Sequence, residues 1–160
     1  MKRVAILMGS HNDLGVMQAA ADVLTELGVP NEVHVKSAHR TPEAVSRFVG
    51  GAADAGYGVI IAAAGLAAHL AGAVAANTSL PVIAVPIAAG TLGGLDALLS
   101  SVQMPPGVPV ATVAINGAQN AGLLAAQILA LSDLALGERL RARRQAAADQ
   151  LIAADAALRP

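Results

Sequence analysis

RVAILMGSHND, residues Arg3–Asp13, is the stretch that decides the fold. Its first half, Arg3–Met8, is a near-continuous apolar run, the pattern of a strand covered on both faces inside a parallel sheet. Gly9-Ser10-His11-Asn12 breaks the run as a polar turn. Asp13–Leu27 then carries Leu14, Met17, Ala20, Ala21, Leu24 and Leu27 on one stripe at helical spacing, and Gly28 and Pro30 mark its end.

The same unit recurs down the chain. Glu32–Ser37 alternates and predicts a second strand with Val33 and Val35 inward. Thr41-Pro42-Glu43 predicts a helix start, with Thr41 as N-cap, Pro42 in the first turn and Glu43 favourable to the helix dipole. Val45, Phe48, Val49 and Ala52 are its expected buried face. Strands are predicted at Tyr57–Ala63, Leu80–Val85 (with Pro81 at its edge) and Val108–Ile115, and helices at Ala67–Asn77, Thr91–Val102 and Gln119–Leu131. Strands alternating with helices in this way imply an α/β fold: a three-layer sandwich with a central parallel sheet, flavodoxin-like or Rossmann-like. The expected organisation is one α/β catalytic domain over residues 1–136 and a C-terminal helical tail over 137–160. In the tail, Leu136, Leu140, Ala147, Leu151 and Ala154 form a stripe. Either a solvated helix or one docked on a neighbouring subunit fits that stripe. A nucleic-acid arm fits poorly, because Glu138, Asp149 and Asp155 interrupt the five tail arginines.

Composition narrows the class. The 160 residues are 55% hydrophobic but only 1% aromatic, with 38 Ala and 16 Gly, so the core is built from aliphatic side chains and closely approaching backbones. That apolar content excludes disorder, and zero Cys excludes disulfides and cysteine metal sites. The N-terminus enters a strand at once with no signal peptide, so cytoplasm is the expectation. Net charge is −1, and from Ala55 to Ser132, 78 residues, Asp96 is the only charged side chain. Such a chain offers neither the basic patch nor the aromatics that nucleic acids require. The Gly58–Ala76 run is nearly uncharged, but His69, Asn77 and the absence of basic or aromatic flanks argue against a membrane span. Neutral surface of that extent predicts a homo-oligomer with apolar interfaces.

In open parallel sheets, ligands bind beyond the carboxyl ends of the strands. Those ends here read Gly9–Asp13, Ser37–Thr41 and Ala64–His69, and they carry Arg40 and three of the four His. Gly9-Ser10 offers backbone N–H groups and a hydroxyl to an anion, though a plain helix start has the same look. Neither the dinucleotide fingerprint nor a P-loop is present, and no G-x-S-x-G elbow activates a serine. Asp13 suits sugar hydroxyls or a first-turn acid. Arg40, beside Ser37 and Thr41, suits a phosphate or a surface pair with Glu43. His39 suits ligand positioning or a loop contact. His69 stands in AAAGLAAHLAG with no other ionisable group and small neighbours, and an imidazole there suits proton transfer without a metal.

MGSHND (Met8–Asp13), SAHRTPE (Ser37–Glu43), AGLAAHLAG (Ala64–Gly72), LPVIAVP (Leu80–Pro86) and SVQMPPGVPVATVAI (Ser101–Ile115) together resemble the bacterial N5-carboxyaminoimidazole ribonucleotide mutase family over residues 3–132. The resemblance implies an enzyme of purine biosynthesis that moves a carboxylate from the exocyclic nitrogen to C4 of an imidazole ribonucleotide, with no ATP, metal or organic cofactor. It also implies a three-layer α/β octamer with active sites at subunit junctions. Carried across by position, Ser10 and Arg40 hold the phosphate, Asp13 the ribose hydroxyls, His69 the proton, and Ser37, His39, Ala64 and Gly65 the site wall. The family often has other residues where Asn12, Ala63, Leu66, Ala71 and Leu99 stand; Asn12 keeps a polar side chain, and Ala63, Leu66 and Ala71, expected close to the site, bear on loop shape and affinity. Animal-type relatives that carboxylate with CO2 directly tend to read SAHK and GRSN in place of SAHR and AAHL, so Arg40 and His69 match the mutase type. The alternatives are that direct carboxylase and a non-catalytic nucleotide-binding module.

Overall fold

The computed structural model describes residues 1–159. Five parallel strands, β1 (Arg3–Met8), β2 (Asn31–Val35), β3 (Tyr57–Gly65), β4 (Val82–Ile87) and β5 (Ala111–Thr112), form one sheet in the order β2-β1-β3-β4-β5. This is the flavodoxin-like strand order, and its switch point falls between β1 and β3. Helices α1 (Leu14–Glu26) and α5 (Ala118–Ala130) cover one face, while α2 (Pro42–Gly50) and α3 (Leu70–Ala75) cover the other. α4 (Leu95–Val102) packs along β4 and β5, and α6 (Leu134–Ala157) follows α5. A three-residue 3-10 turn, His11–Asp13, joins β1 to α1.

The expected apolar runs form the buried strands. β1, β3 and β4 send Val4, Ile6, Met8, Val59, Ile61, Ile83 and Val85 toward α1 and α5, and Ala5, Leu7, Ile60, Ala62 and Ala84 toward α2 and α3. With so many alanines, the layers come very close. A Cβ placed on Gly122 of α5 would lie 2.5 Å from Val23 Cγ1 and 2.9 Å from the Ala20 carbonyl oxygen of α1, so only glycine fits that contact.

Five expectations are corrected. Val33 and Val35 are exposed, not inward. The sheltered side of β2 carries Glu32, which binds Arg3 and the Tyr57 hydroxyl, and His34, whose ring lies 4.7 Å from that of Phe48. These partners decide which face turns in. β5 shrinks to Ala111–Thr112, because its own Pro109 has no N–H to donate on one side and, on the other, Pro86 of β4 faces it with a carbonyl that accepts from Asn116 but no N–H. α4 starts at Leu95, after Gly94 at φ 92, rather than at Thr91. Thr41 stands at the N-cap of α2 without capping it, since its hydroxyl donates to the Ser37 carbonyl and accepts from the Ser37 N–H. The tail stripe docks only at its start: Leu136 is buried and Leu140 half-buried, whereas Ala147, Leu151 and Ala154 are exposed. α6 runs through the 136/137 boundary, tied down by Arg139 Nε, which donates to the Leu27 carbonyl at 2.8 Å.

Candidate active site

A cavity of about 440 Å³ opens at the carboxyl ends of β1, β2 and β3, at the switch point. All eight residues expected to bind substrate or carry the proton line it: Ser10, Asp13, Ser37, His39, Arg40, Ala64, Gly65 and His69. His11, the third histidine of that edge, is exposed and does not line the cavity. Gly9, Asn12, Ala38, Leu66, Ala67, Leu70 and Ala89 complete the wall. Ala89 follows β4, an end the sequence reading left out although the same rule about strand ends selects it. Ala63 and Ala71 are buried in the core instead of lining the cavity.

Each loop is held by its own chemistry. After β1, Ser10 and Asp13 form a reciprocal cap: Ser10 Oγ accepts from the Asn12 N–H and Asp13 Oδ2 accepts from the Ser10 N–H, both at 3.2 Å. Burial pushes the Asp13 carboxyl above its ordinary 3.8, and the Ser10 N–H and the Arg40 charge hold part of that rise back. After β2, Ser37 Oγ accepts from the Arg40 N–H at 3.1 Å and its Nε–H at 3.4 Å. Arg40 Nη2 donates to the Gly9 carbonyl at 2.8 Å. The guanidinium therefore bridges two site loops instead of pairing with Glu43, and its remaining donors are available to an anion.

After β3, the loop runs further than the sequence suggested. α3 begins at Leu70, not Ala67, because the Ala68 N–H donates to Ser100 Oγ at 3.2 Å, and His69 takes the N-cap position. Leu66 sits at φ 56, a left-handed conformation that costs a residue with a Cβ roughly 1–2 kcal/mol. The His39 and His69 rings approach to 5.2 Å, with their planes inclined by 36°. Both imidazoles are exposed, so a single chain leaves the cavity open and not sealed from water. On its far side His69 also borders a pocket of about 260 Å³ lined by Ala68, Gly72, Ala76, Ser100, Met104, Pro105 and Val108. Among the described residues, no three His, Asp or Glu side chains gather to hold a metal ion. No helix among them is long and apolar enough to cross a membrane.

With this geometry in hand, comparison with known proteins is specific. The AIR carboxylase family profile matches residues 3–150. The chain is 56% identical over 156 residues to an N5-carboxyaminoimidazole ribonucleotide mutase of Mycobacterium tuberculosis, covering 98% of this chain and 90% of that one. It is 56% identical over 130 residues to a chloroplastic phosphoribosylaminoimidazole carboxylase of Vigna aconitifolia, covering 81% of this chain and 23% of that protein. The crystal structure of Treponema denticola PurE superposes with a TM-score of 0.87 at 30% identity, covering 98% of each chain.

Proposed function

The chain belongs to the AIR carboxylase family, and from that premise we propose that it is an isomerase of purine biosynthesis, an N5-carboxyaminoimidazole ribonucleotide mutase. The observation that carries this reading is the meeting of His39 and His69 in one cavity with Ser10, Asp13 and Arg40. Ser10 and the free donors of Arg40 take the phosphate, and Asp13 accepts from the ribose hydroxyls. The imidazole ring of the nucleotide then lies beside the histidines, walled by Ala64 and Gly65.

The reaction closes on itself. An imidazolium gives its proton to the exocyclic nitrogen as the N–carboxylate bond breaks and CO2 leaves. C4 attacks the carbon of that CO2, and the resulting imidazole takes the C4 proton. Carboxylate and proton are both conserved, and the base returns to its starting state. His69 carries the proton in the sequence reading. The side-by-side rings make His39 its working neighbour, close enough to hold the substrate ring or to share the transfer. Small walls favour retention of CO2 next to C4.

An open cavity needs a cover. Leu95, Leu99 and Val102 form an exposed apolar stripe along α4, extended by the exposed Leu92 of the turn before it, close to the pocket behind His69. A second copy of the chain seated there buries the stripe and shelters the site, which supports a homo-oligomer, an octamer by family likeness. The likeness to the plant carboxylase favours direct carboxylation as the second reading. The test supplies purified protein with either the N-carboxylated ribonucleotide or the bare ribonucleotide plus bicarbonate, under chelation. Faster turnover of the carboxylated nucleotide is expected. Faster turnover of the bare one selects the carboxylase, and binding without turnover of either selects a nucleotide-binding module.

A further inference from the structure

The loops that follow β3 and β4 meet at the cavity wall in a small-against-large pattern. A Cβ on Gly65 would lie 3.0 Å from Ala89 Cβ, and one on Gly90 would lie 2.6 Å from Leu66 Cδ2. Gly65 thus seats Ala89, and Gly90 seats Leu66, as adjacent rungs between the loops. Leu66 is 53% exposed, so burial does not explain its place. It nonetheless keeps a left-handed backbone (φ 56) opposite a glycine that is itself at φ 65. The loop it touches, residues 88–94, reads AAGTLGG and holds Gly90, Gly93 and Gly94 at positive φ. Glycines make such a loop costly to order. Asn116 Oδ1, accepting from the Ala88 N–H at 2.9 Å, anchors its start. Beyond that anchor, Leu66 touches it at Gly90, next to the residue that lines the cavity.

We propose that Leu66 is a positioning residue for nucleotide binding: its side chain, seated on Gly90, holds the 88–94 loop and Ala89 in the arrangement the ribonucleotide meets. The proposal rests on the reading of this cavity as a ribonucleotide site. Without the contact the loop samples other conformations, and the ligand has to order it on arrival. Affinity falls while the chemistry at the histidines proceeds as before.

Leu66→Ala removes the contact but keeps a Cβ in the left-handed conformation. Leu66→Gly removes both contact and strain, and Leu66→Met restores an apolar side chain of similar reach. Ordering about one residue's backbone corresponds to roughly a tenfold rise in KM for the carboxylated ribonucleotide, expected in both the Ala and Gly variants with kcat within about twofold. Amides of residues 88–94 in the unliganded protein should exchange with deuterium faster in both, and Leu66→Met should match wild type in KM and exchange. Unchanged KM and exchange in the Ala and Gly variants overturn the proposal. So does an effect in the Gly variant alone, which would assign the role to the backbone, or a fall in kcat at constant KM. If the wild type turns over no carboxylated ribonucleotide, the reading of the reaction fails, and the exchange comparison still decides whether Leu66 orders the loop.

Discussion

His39 and His69 come from loops after different strands, yet their ring centroids lie 5.2 Å apart on one cavity wall. Losing a positioned acid–base group typically costs 10²–10⁴-fold. His69→Asn is therefore expected to lower kcat by at least about 100-fold while nucleotide binding, followed by calorimetry, persists. His39→Asn is expected to be damaging as well, and the double variant close to the worse single one, since groups acting as a unit are not additive. Wild-type turnover in His69→Asn would move the proton transfer to His39.

Asp13 provides a pH signature. Burial raises its carboxyl above 3.8, so ionisation is penalised in the folded chain. Its contribution to stability is fully present below 3.8 and declines as pH rises through the raised folded value. Thermal melts against pH should show the wild type gaining on Asp13→Asn in acid and losing ground toward neutrality. The same variant should bind the ribonucleotide more weakly at neutral pH, where the carboxylate serves the ribose.

The cluster at the far edge of the sheet titrates the other way. The Tyr57 hydroxyl donates to Glu32 at 2.5 Å and, with Arg3 and His34 nearby, holds that carboxyl below its ordinary 4.5. Glu32 therefore contributes stability above pH 4.5 that is lost as pH falls through its depressed folded value. Burial and the same carboxylate push the Tyr57 phenol up to about 12 from 10.0, so its contribution is lost only as pH rises through 12. Tyr57→Phe should melt below wild type at neutral pH, with the gap closing in strong acid and in strong base. A gap independent of pH would show that the hydroxyl does not act through Glu32.

Gly122→Ala runs against helix propensity. An exposed helical glycine replaced by alanine gains roughly 1 kcal/mol. Here the new Cβ meets Val23 Cγ1 at 2.5 Å and the Ala20 carbonyl at 2.9 Å, and a carbonyl inside a helix cannot step aside. Destabilisation of about 1–3 kcal/mol is expected in urea unfolding. A more stable variant would mean that α1 and α5 separate easily.

The parts of the fold legible in the sequence were those set by burial alone. Apolar runs at Arg3–Met8 and Tyr57–Ala63 identify strands covered on both faces, and Gly28 ends α1 where the stripe ends. Reading failed where a distant partner decides. β2 turns Glu32 and His34 inward because Arg3, Tyr57 and Phe48 await them, and nothing local in NEVHV announces those partners. β5 is cut short on one side by its own Pro109 and on the other by Pro86 of the neighbouring strand, and only the first of these stands in its own sequence. The positions that line the cavity were legible because topology places strand ends together. The pairing of His39 with His69, the reach of Arg40 to Gly9 and the seating of Leu66 on Gly90 depend on loop shapes set by contacts between segments distant in the chain.

Tyr57 opens β3 and Gly65 closes it, so at about 3.3 Å per residue the lone tyrosine stands some 26 Å from the cavity. With no Trp in the chain, this phenol is the dominant chromophore of the near ultraviolet. Intrinsic fluorescence thus reports on the Arg3–Glu32 edge and stays silent when the cavity fills. An optical titration of this enzyme needs a reporter installed near the site, whereas its unfolding can be followed without one.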